Sequence, residues 1–363
     1  MDSIQSYCGI DLHKLSLTVT VVNREGERIA LETIPTKCVG RIRRFVGRLP
    51  GPVACAIESV GMYRWLWDLL KPLCGKLVLA DATELAWRRG RRRPKTDPKD
   101  AEHLAGLLRD GTVPAAYVPE GPEYDLRRLG RHWHGHSRLA ARLKVRLRSL
   151  LNQANQRGPK NLDGPAVRRW LLAHGNALDE TAHLCAEDLL ETIEHVELQQ
   201  FQRKRRMQAI CRRHFPALTE LLKSVPGIAD VLAAVLIGEI GSFERFDTAE
   251  AFACYTGLTR RVHESAGRIA ATGISRAGSA TLRWALYEAA TTLCRCDRHW
   301  KTCYDALAEK MGSKKKARTA AARKLASCLF GMAKTGECFR RGPSTHPTRA
   351  ANRARLLARP EAA

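Results

Sequence analysis

Four acidic residues stand at positions where they could do chemistry together. Asp11 closes a short β-branched run, Tyr7–Asp11, and Glu58 follows directly on an apolar one, Val53–Ile57. Acids at the carboxyl ends of neighbouring strands converge at one edge of a sheet. Asp97 and Asp100 lie three apart in Lys95-Thr96-Asp97-Pro98-Lys99-Asp100-Ala101, which predicts a helix start with Asp97 near the N-cap and Pro98 in the first turn. That spacing puts both carboxylates on one helical face. Four carboxylates in one place repel one another unless divalent cations sit among them, the layout of magnesium-assisted phosphoryl transfer. Each acid also has a plainer role. Asp11 can end a strand, Asp97 can cap a helix, and Asp100 can answer the helix dipole. Glu58, between an apolar strand and Ser59-Val60-Gly61, is hardest to explain that way. Arg88, Arg89, Arg91, Arg92, Arg93 and Lys95 form a cationic run just before the acidic helix. It reads either as a solvated loop or as a phosphate contact. The second is favoured, because the run leads into acids that need metal and phosphate nearby.

The first eighty residues predict the scaffold. Tyr7–Asp11, Leu15–Val22 and Arg28–Ile34 read as strands, the last two joined by the turn Asn23-Arg24-Glu25-Gly26. Val39–Leu49 has helical periodicity, Val53–Ile57 reads as a buried strand, Gly61–Leu70 as a helix and Lys76–Ala80 as another strand. The result is α/β, a mixed sheet flanked by helices. From Asp100 onward the pattern is mainly helical. Leu126, Leu129, Trp133, Leu139, Leu143, Leu147 and Leu150 fall near one stripe, weakened at its start by Gly130 and Gly135. Eight Arg and Lys and no acid lie between Arg127 and Arg148, so the other face is cationic. After a break at Gly158–Gly164, Leu184, Leu190, Ile193, Val196 and Phe201 predict a second long helix towards Cys211, giving a helical hairpin or coiled-coil spacer.

A further compact unit begins near Leu221. Ser224-Val225-Pro226-Gly227-Ile228 before the apolar stretch Asp230–Ile240 has the form of a helix-hairpin-helix, in which the turn at Gly227 lets backbone N–H groups approach a phosphate. A plain Pro-Gly connection between helices has the same form. Residues 341–363 are basic and predict a loose tail.

Lys and Arg number 61 against 37 Asp and Glu, a net charge of +24 over 363 residues. Such an excess points to a polyanion, nucleic acid or an anionic membrane surface. The longest strongly apolar run, Val231–Gly238, is far short of a membrane span, and MDSIQSYCGI is not a secretory leader. The expectation is a soluble, cytoplasmic, nucleic-acid-binding protein. The twelve cysteines are scattered, and the one cluster, Cys294, Cys296, His299 and Cys303, has irregular spacing for zinc. Buried thiols are the simpler reading.

GIDLHK around Asp11, AIES around Glu58 and KTDPKDA around Asp97 and Asp100 resemble the DEDD, RuvC-type half of the IS-one-ten insertion-sequence transposases, a family that includes Piv-type DNA invertases and bridge-RNA-guided recombinases. The second half is similar to the family's C-terminal domain in SVPGI, Phe246–Arg261, His263-Glu264-Ser265, Arg276-Ala277-Gly278 with Leu282-Arg283, and Ala322–Ala326. The resemblance spans about residues 7–340. It implies an RNase H/RuvC-like domain over 1–120, a basic helical spacer over 121–220, a helical transposase domain over 221–340 and a tail over 341–363. It implies Mg2+ held by Asp11, Glu58, Asp97 and Asp100, and a serine nucleophile that maps to Ser265. By residue type alone Ser265 is one serine in a polar, Gly-containing loop, with Ser275 and Ser279 nearby. Family motifs often continue Ser-Gly, whereas Ala266 precedes Gly267 here. The resemblance further implies donor and target DNA, a guide (bridge) RNA and a homo-oligomer, dimer or tetramer, whose partner subunit supplies the serine. Arg260, Arg261 and Gly227 are the expected nucleic-acid contacts in this half. Two other readings stand beside it: a Holliday-junction-type endonuclease using metal-activated water, and a non-catalytic nucleic-acid scaffold.

Overall fold

The computed structural model describes residues 4–89, 96–265, 268–276 and 278–340, with the side chains of 87–89 and 261–272 outside the description. The chain forms two compact units, Met1–Val118 and Pro119–Ala363.

The first unit is built on β1 (Ser6–Leu12), β2 (Ser16–Val22), β3 (Arg28–Pro35), β4 (Val53–Glu58) and β5 (Lys76–Ala80). They form one sheet in the order β3-β2-β1-β4-β5. β1, β2 and β3 make an antiparallel meander, while β4 runs parallel to β1 and β5 parallel to β4. The β2–β3 turn is held by Asn23, whose N–H donates to Glu27 O at 3.0 Å and whose Oδ1 accepts the Glu27 N–H at 2.8 Å. The helices are α1 (Val39–Gly47), α2 (Arg64–Leu70), α3 (Ala82–Arg89) and α4 (Asp97–Arg109).

Strand alternation sorts the sheet into two unlike faces. Cys8, Ile10, Leu12, Leu17, Val19, Cys55 and Ile57 share one core with Ile42 and Val46 of α1 and Leu66 and Leu70 of α2. The other face is made of small residues, with Ala54, Ala56 and Ala80 meeting Leu85 of α3 and Leu104 and Leu108 of α4. Gly9 lies at its centre, where a Cβ would come within 2.0 Å of Ala101 O and 2.5 Å of Ala105 N. The backbone of α4 therefore rests directly on β1, as only glycine permits.

The second unit contains α5 (Gly121–Gln153), α6 (Gly164–His174), α7 (Glu180–His214), α8 (Pro216–Lys223), α9 (Asp230–Ile240), α10 (Ala249–Tyr255), the hairpin β6 (Arg260–Ser265) and β7 (Arg268–Ile274), α11 (Ala280–Cys296), α12 (Arg298–Met311) and α13 (Lys314–Thr335). The two long helices serve two cores. Leu143, Leu147 and Leu151 of α5 pack with Leu190, Ile193 and Val196 of α7 and Val167 of α6. Leu126 of α5 and Met207 of α7 belong instead to the larger core around α9. Every residue of α9 from Ala233 to Ile240 is buried. α5 crosses α9 closely: a Cβ on Gly238 would lie 2.5 Å from Arg127 N. Gly130, which weakened the helical pattern, faces Val235 in the same crossing, and α5 runs unbroken through it. Glu239, 1% exposed at its side chain, accepts both prongs of Arg131, Nε at 2.7 Å and Nη2 at 2.9 Å. Among the described residues no helix is long and apolar enough to cross a membrane.

The segment around Ser265, expected to be a loop, is strand by its backbone: β6 pairs with β7 in an antiparallel hairpin, with Ser265 opposite Arg268. β6 has one apolar residue, Val262, so it carries no alternation for a sequence reading to detect.

Candidate metal centre

Ile10 pairs with Ile57 across the parallel β1–β4 ladder, so Asp11 and Glu58 follow one step later on adjacent strands. Alternation puts both on the α4 side of the sheet, in line with Gly9 and Ala56. Asp11 is buried, 7% exposed, and pairs in register with Thr18 of β2. Glu58 is half-buried at the end of β4.

The start of α4 supplies the other two acids. Thr96 is the N-cap and Asp97 the first helical residue, one place beyond the expected cap, with Pro98 next. The Pro98 carbonyl accepts the Thr20 hydroxyl at 3.4 Å, which ties the helix start to β2. Asp97 is exposed, whereas Asp100, one turn on, is buried at 6% exposure. Gly9 fixes the height of the helix over the sheet, and the first turn then overhangs the end of β1.

A residue outside the expected set completes the cluster. His13, two positions after Asp11, places Nε2 3.1 Å from Asp11 Oδ2 and 3.4 Å from Asp97 Oδ2. Asp11, His13 and Asp97 each offer a ligand atom within 4.8 Å of the others, the one such group of three among the described residues. His13 was legible in principle, since counting by twos from Gly9 and Asp11 reaches it.

The electrostatics show a site short of positive charge. Burial raises the Asp11 carboxyl above its ordinary value; His13 opposes the rise, while Asp97 and Asp100 add repulsion. At His13 burial disfavours the charged ring, but the attraction of Asp11 and then Asp97 outweighs it and raises the imidazole. Carboxylate oxygens crowded at a strand end, one of them on a buried residue, suit a divalent cation, and the two carboxylates are donors of the kind a hard ion takes. The structure thus brings together Asp11, Asp97 and His13, sets Asp100 close enough to act on Asp11, and places Glu58 beside Asp11 by register.

The remaining expected residues fall elsewhere. Arg88 and Arg89 end α3, their side chains outside the described residues, and Arg91, Arg92, Arg93 and Lys95 lie wholly outside them. Arg260 opens β6 and is exposed, while Arg261 and Ser265 are placed by backbone alone. Gly227 has φ +100 in the α8–α9 turn, and a Cβ there would lie 2.7 Å from Thr292 Cβ and 2.8 Å from Ala289 O of α11. The packing of α11 thus accounts for glycine at 227 without a phosphate. Asp230, in the first turn of α9, is engaged by Gln208 Nε2 at 2.7 Å and Lys223 Nζ at 3.2 Å. Cys294 is buried in the core around α9 and Cys296 is exposed, while Cys303 Sγ lies 3.5 Å from His299 Nε2 on α12.

A mixed sheet in this order, with acids at the ends of its two central strands and on a helix laid across it, defines an RNase H-like domain of the DEDD transposase kind. Residues 8–156 match the DEDD transposase model of IS110 elements, and residues 219–305 match the model described as transposase IS116/IS110/IS902 family. A provisionally named transposase, y4qE of Sinorhizobium fredii (strain NBRC 101917 / NGR234), is 27% identical over 306 residues, covering 80% of this chain and 72% of its own length. The chain belongs to the IS110 family of insertion-sequence transposases, which recombine the DNA of mobile elements.

Proposed function

We propose that the protein cuts and rejoins DNA by metal-dependent phosphoryl transfer, with Asp11, Glu58, Asp97 and Asp100 as the ligands of Mg2+ and Ser265 as the nucleophile. The observation that carries the reading is the convergence of Asp11 and Asp97 on His13 at the end of β1. When bound, magnesium would supply Lewis-acid stabilisation of the phosphate oxygens and of the attacking and leaving groups. The chain's own part is preorganisation. Asp11 and Glu58 are fixed by strand register and Asp97 and Asp100 by helix spacing, so their charge is already in place when a phosphodiester arrives. His13 serves as countercharge between Asp11 and Asp97 and holds the two carboxylates at a common point.

The Ser265 role is proposed from the resemblance of His263-Glu264-Ser265 to the family's C-terminal domain. Its hydroxyl oxygen forms a bond to phosphorus as one strand P–O bond breaks. The serine proton is lost, the departing strand oxygen takes one up, and the phosphodiester count is conserved for rejoining. Arg260 and Arg261, with the cationic run Arg88–Lys95, are proposed to hold DNA backbones, and any contact at Gly227 would use backbone N–H groups. A bridge RNA pairing with donor and target DNA, and a homo-oligomer (dimer or tetramer) whose partner subunit lends the serine, complete the proposal, with the cytoplasm as the place of action. The charge of +24 supports polynucleotide partners of either kind.

The test is incubation of the protein with guide RNA, Mg2+ and target DNA. A protein–DNA adduct that survives denaturation is expected from the wild type and absent from Ser265→Ala. An adduct from Ser265→Ala would move the nucleophile elsewhere, and cleavage with no adduct from either would favour hydrolysis by activated water.

A further inference from the structure

The loop between α5 and α6 is pinned rather than slack. Asn155 takes a left-handed conformation, φ +52, and the Gln156 N–H returns to Leu151 O at 2.8 Å. Trp170 Nε1 donates to Arg157 O at 3.1 Å, and Leu162 is buried in the core between α5, α6 and α7. Between this loop and the last turns of α5 lies a cleft of about 470 Å³, walled by Lys144, Val145, Arg148, Lys160, Asn161 and Asp163.

The charges around it are unequally engaged. Lys144 Nζ pairs with Glu197 Oε1 at 2.7 Å, and the other Glu197 oxygen accepts the Gly164 N–H at 3.0 Å. Asp163 caps α6, its Oδ1 accepting the Ala166 N–H at 2.9 Å. Among the described residues the Arg148 guanidinium has only a long contact, 3.4 Å, to the carbonyl of Lys160. Among the described residues neither Arg148 nor Lys160 has a carboxylate within ion-pair distance, and both are exposed. The positive end of α6 starts at the same wall. Val145 is 69% exposed, an apolar side chain inside a cationic cleft. Fixed walls, two cations without acid partners and an apolar patch match a sugar–phosphate strand: phosphates for the cations, a sugar face for the valine.

We propose that this cleft binds the phosphodiester backbone of a polynucleotide strand, with Arg148 and Lys160 on phosphate. It is a contact of the helical region, distinct from the acidic centre, and it does not depend on the catalytic reading. The full chain carrying Arg148→Gln with Lys160→Gln is compared with one carrying Arg212→Gln with Arg213→Gln, an equal loss of charge on exposed residues of α7 away from the cleft. Binding of single-stranded RNA and of DNA of the same sequence is followed by fluorescence anisotropy over a series of salt concentrations. The cleft pair should lose about tenfold in affinity and lower the salt slope by about 1.4, two single-strand phosphate contacts, beyond the control pair. Loss for RNA alone or DNA alone names the strand, and loss for both means the backbone common to them. A photo-crosslinking amino acid at Val145 should capture the strand, whereas at Leu172, 84% exposed and off the cleft, it should not. A cleft pair no weaker than the control for both strands, or equal crosslinking at the two positions, overturns the proposal.

Discussion

Asp11 and His13 illustrate how burial and partners set the charge of single groups: burial lifts the one carboxyl, and two carboxylates lift the one imidazole. The opposite case sits on α5. His134 stacks on Trp284 at a centroid distance of 4.2 Å, with Nδ1 3.3 Å from the Thr281 hydroxyl. Burial, and then Arg138, lower its pKa below the ordinary 6.5, against the pull of Glu239. The unfolded chain keeps the ordinary value and so binds more protons near pH 6. Stability from this residue is therefore complete above about pH 6.5 and is lost as the pH falls towards the lowered folded value. The urea midpoint of the wild type should drop between about pH 7 and pH 5.5, and that of His134→Gln should drop less. Equal drops would remove His134 from the balance. His132, also lowered, by burial and then by His136 and Arg203, leaves a residual slope in the variant.

Where α4 meets β1 the elements decide whether the acids converge at all. Gly9→Ala puts a methyl group 2.0 Å from Ala101 O, so helix or strand must shift. A loss of about 1–3 kcal/mol is expected by denaturant unfolding, together with a fall in strand cleavage because Asp97 and Asp100 move with the helix. Unchanged stability and cleavage would contradict the packing argument. The elements themselves were largely legible. All five strands of the sheet follow from β-branched runs and turn residues, and α4 from Pro98 and the acids of its first turn. The consequence of Gly9 was not, because a glycine in a strand does not name the backbone that will lie against it. The helices α3 and α6 and the polar hairpin β6–β7 also lacked a signal, since their patterns mix charge and apolar residues without a sustained period. In the site, the acids were readable from strand ends and helix spacing. His13 lies just past the end of β1, outside the β-branched run that marks the strand.

At the scale of the whole molecule, charge and core pull in different directions. The excess of +24 favours polyanions and costs the folded chain in self-repulsion, while in the second unit a half-exposed arginine reaches in to a buried acid. Arg131 answers the buried Glu239, with Arg127 at 3.9 Å as the next cation. Arg131→Met should therefore destabilise the second unit by about 2–3 kcal/mol in denaturant unfolding, and a neutral result would mean Arg127 suffices. Acids carry the opposite meaning in the first unit, where they gather on one sheet edge of a basic chain that has every reason to keep carboxylates from DNA. The most direct test is cleavage of DNA in Mg2+ by Asp11→Asn beside the wild type, with DNA affinity measured on both. The expected result is loss of strand cleavage with affinity unchanged within about twofold, since one neutralised acid removes no phosphate contact. Undiminished cleavage by Asp11→Asn would contradict the claim that these acids form the catalytic centre.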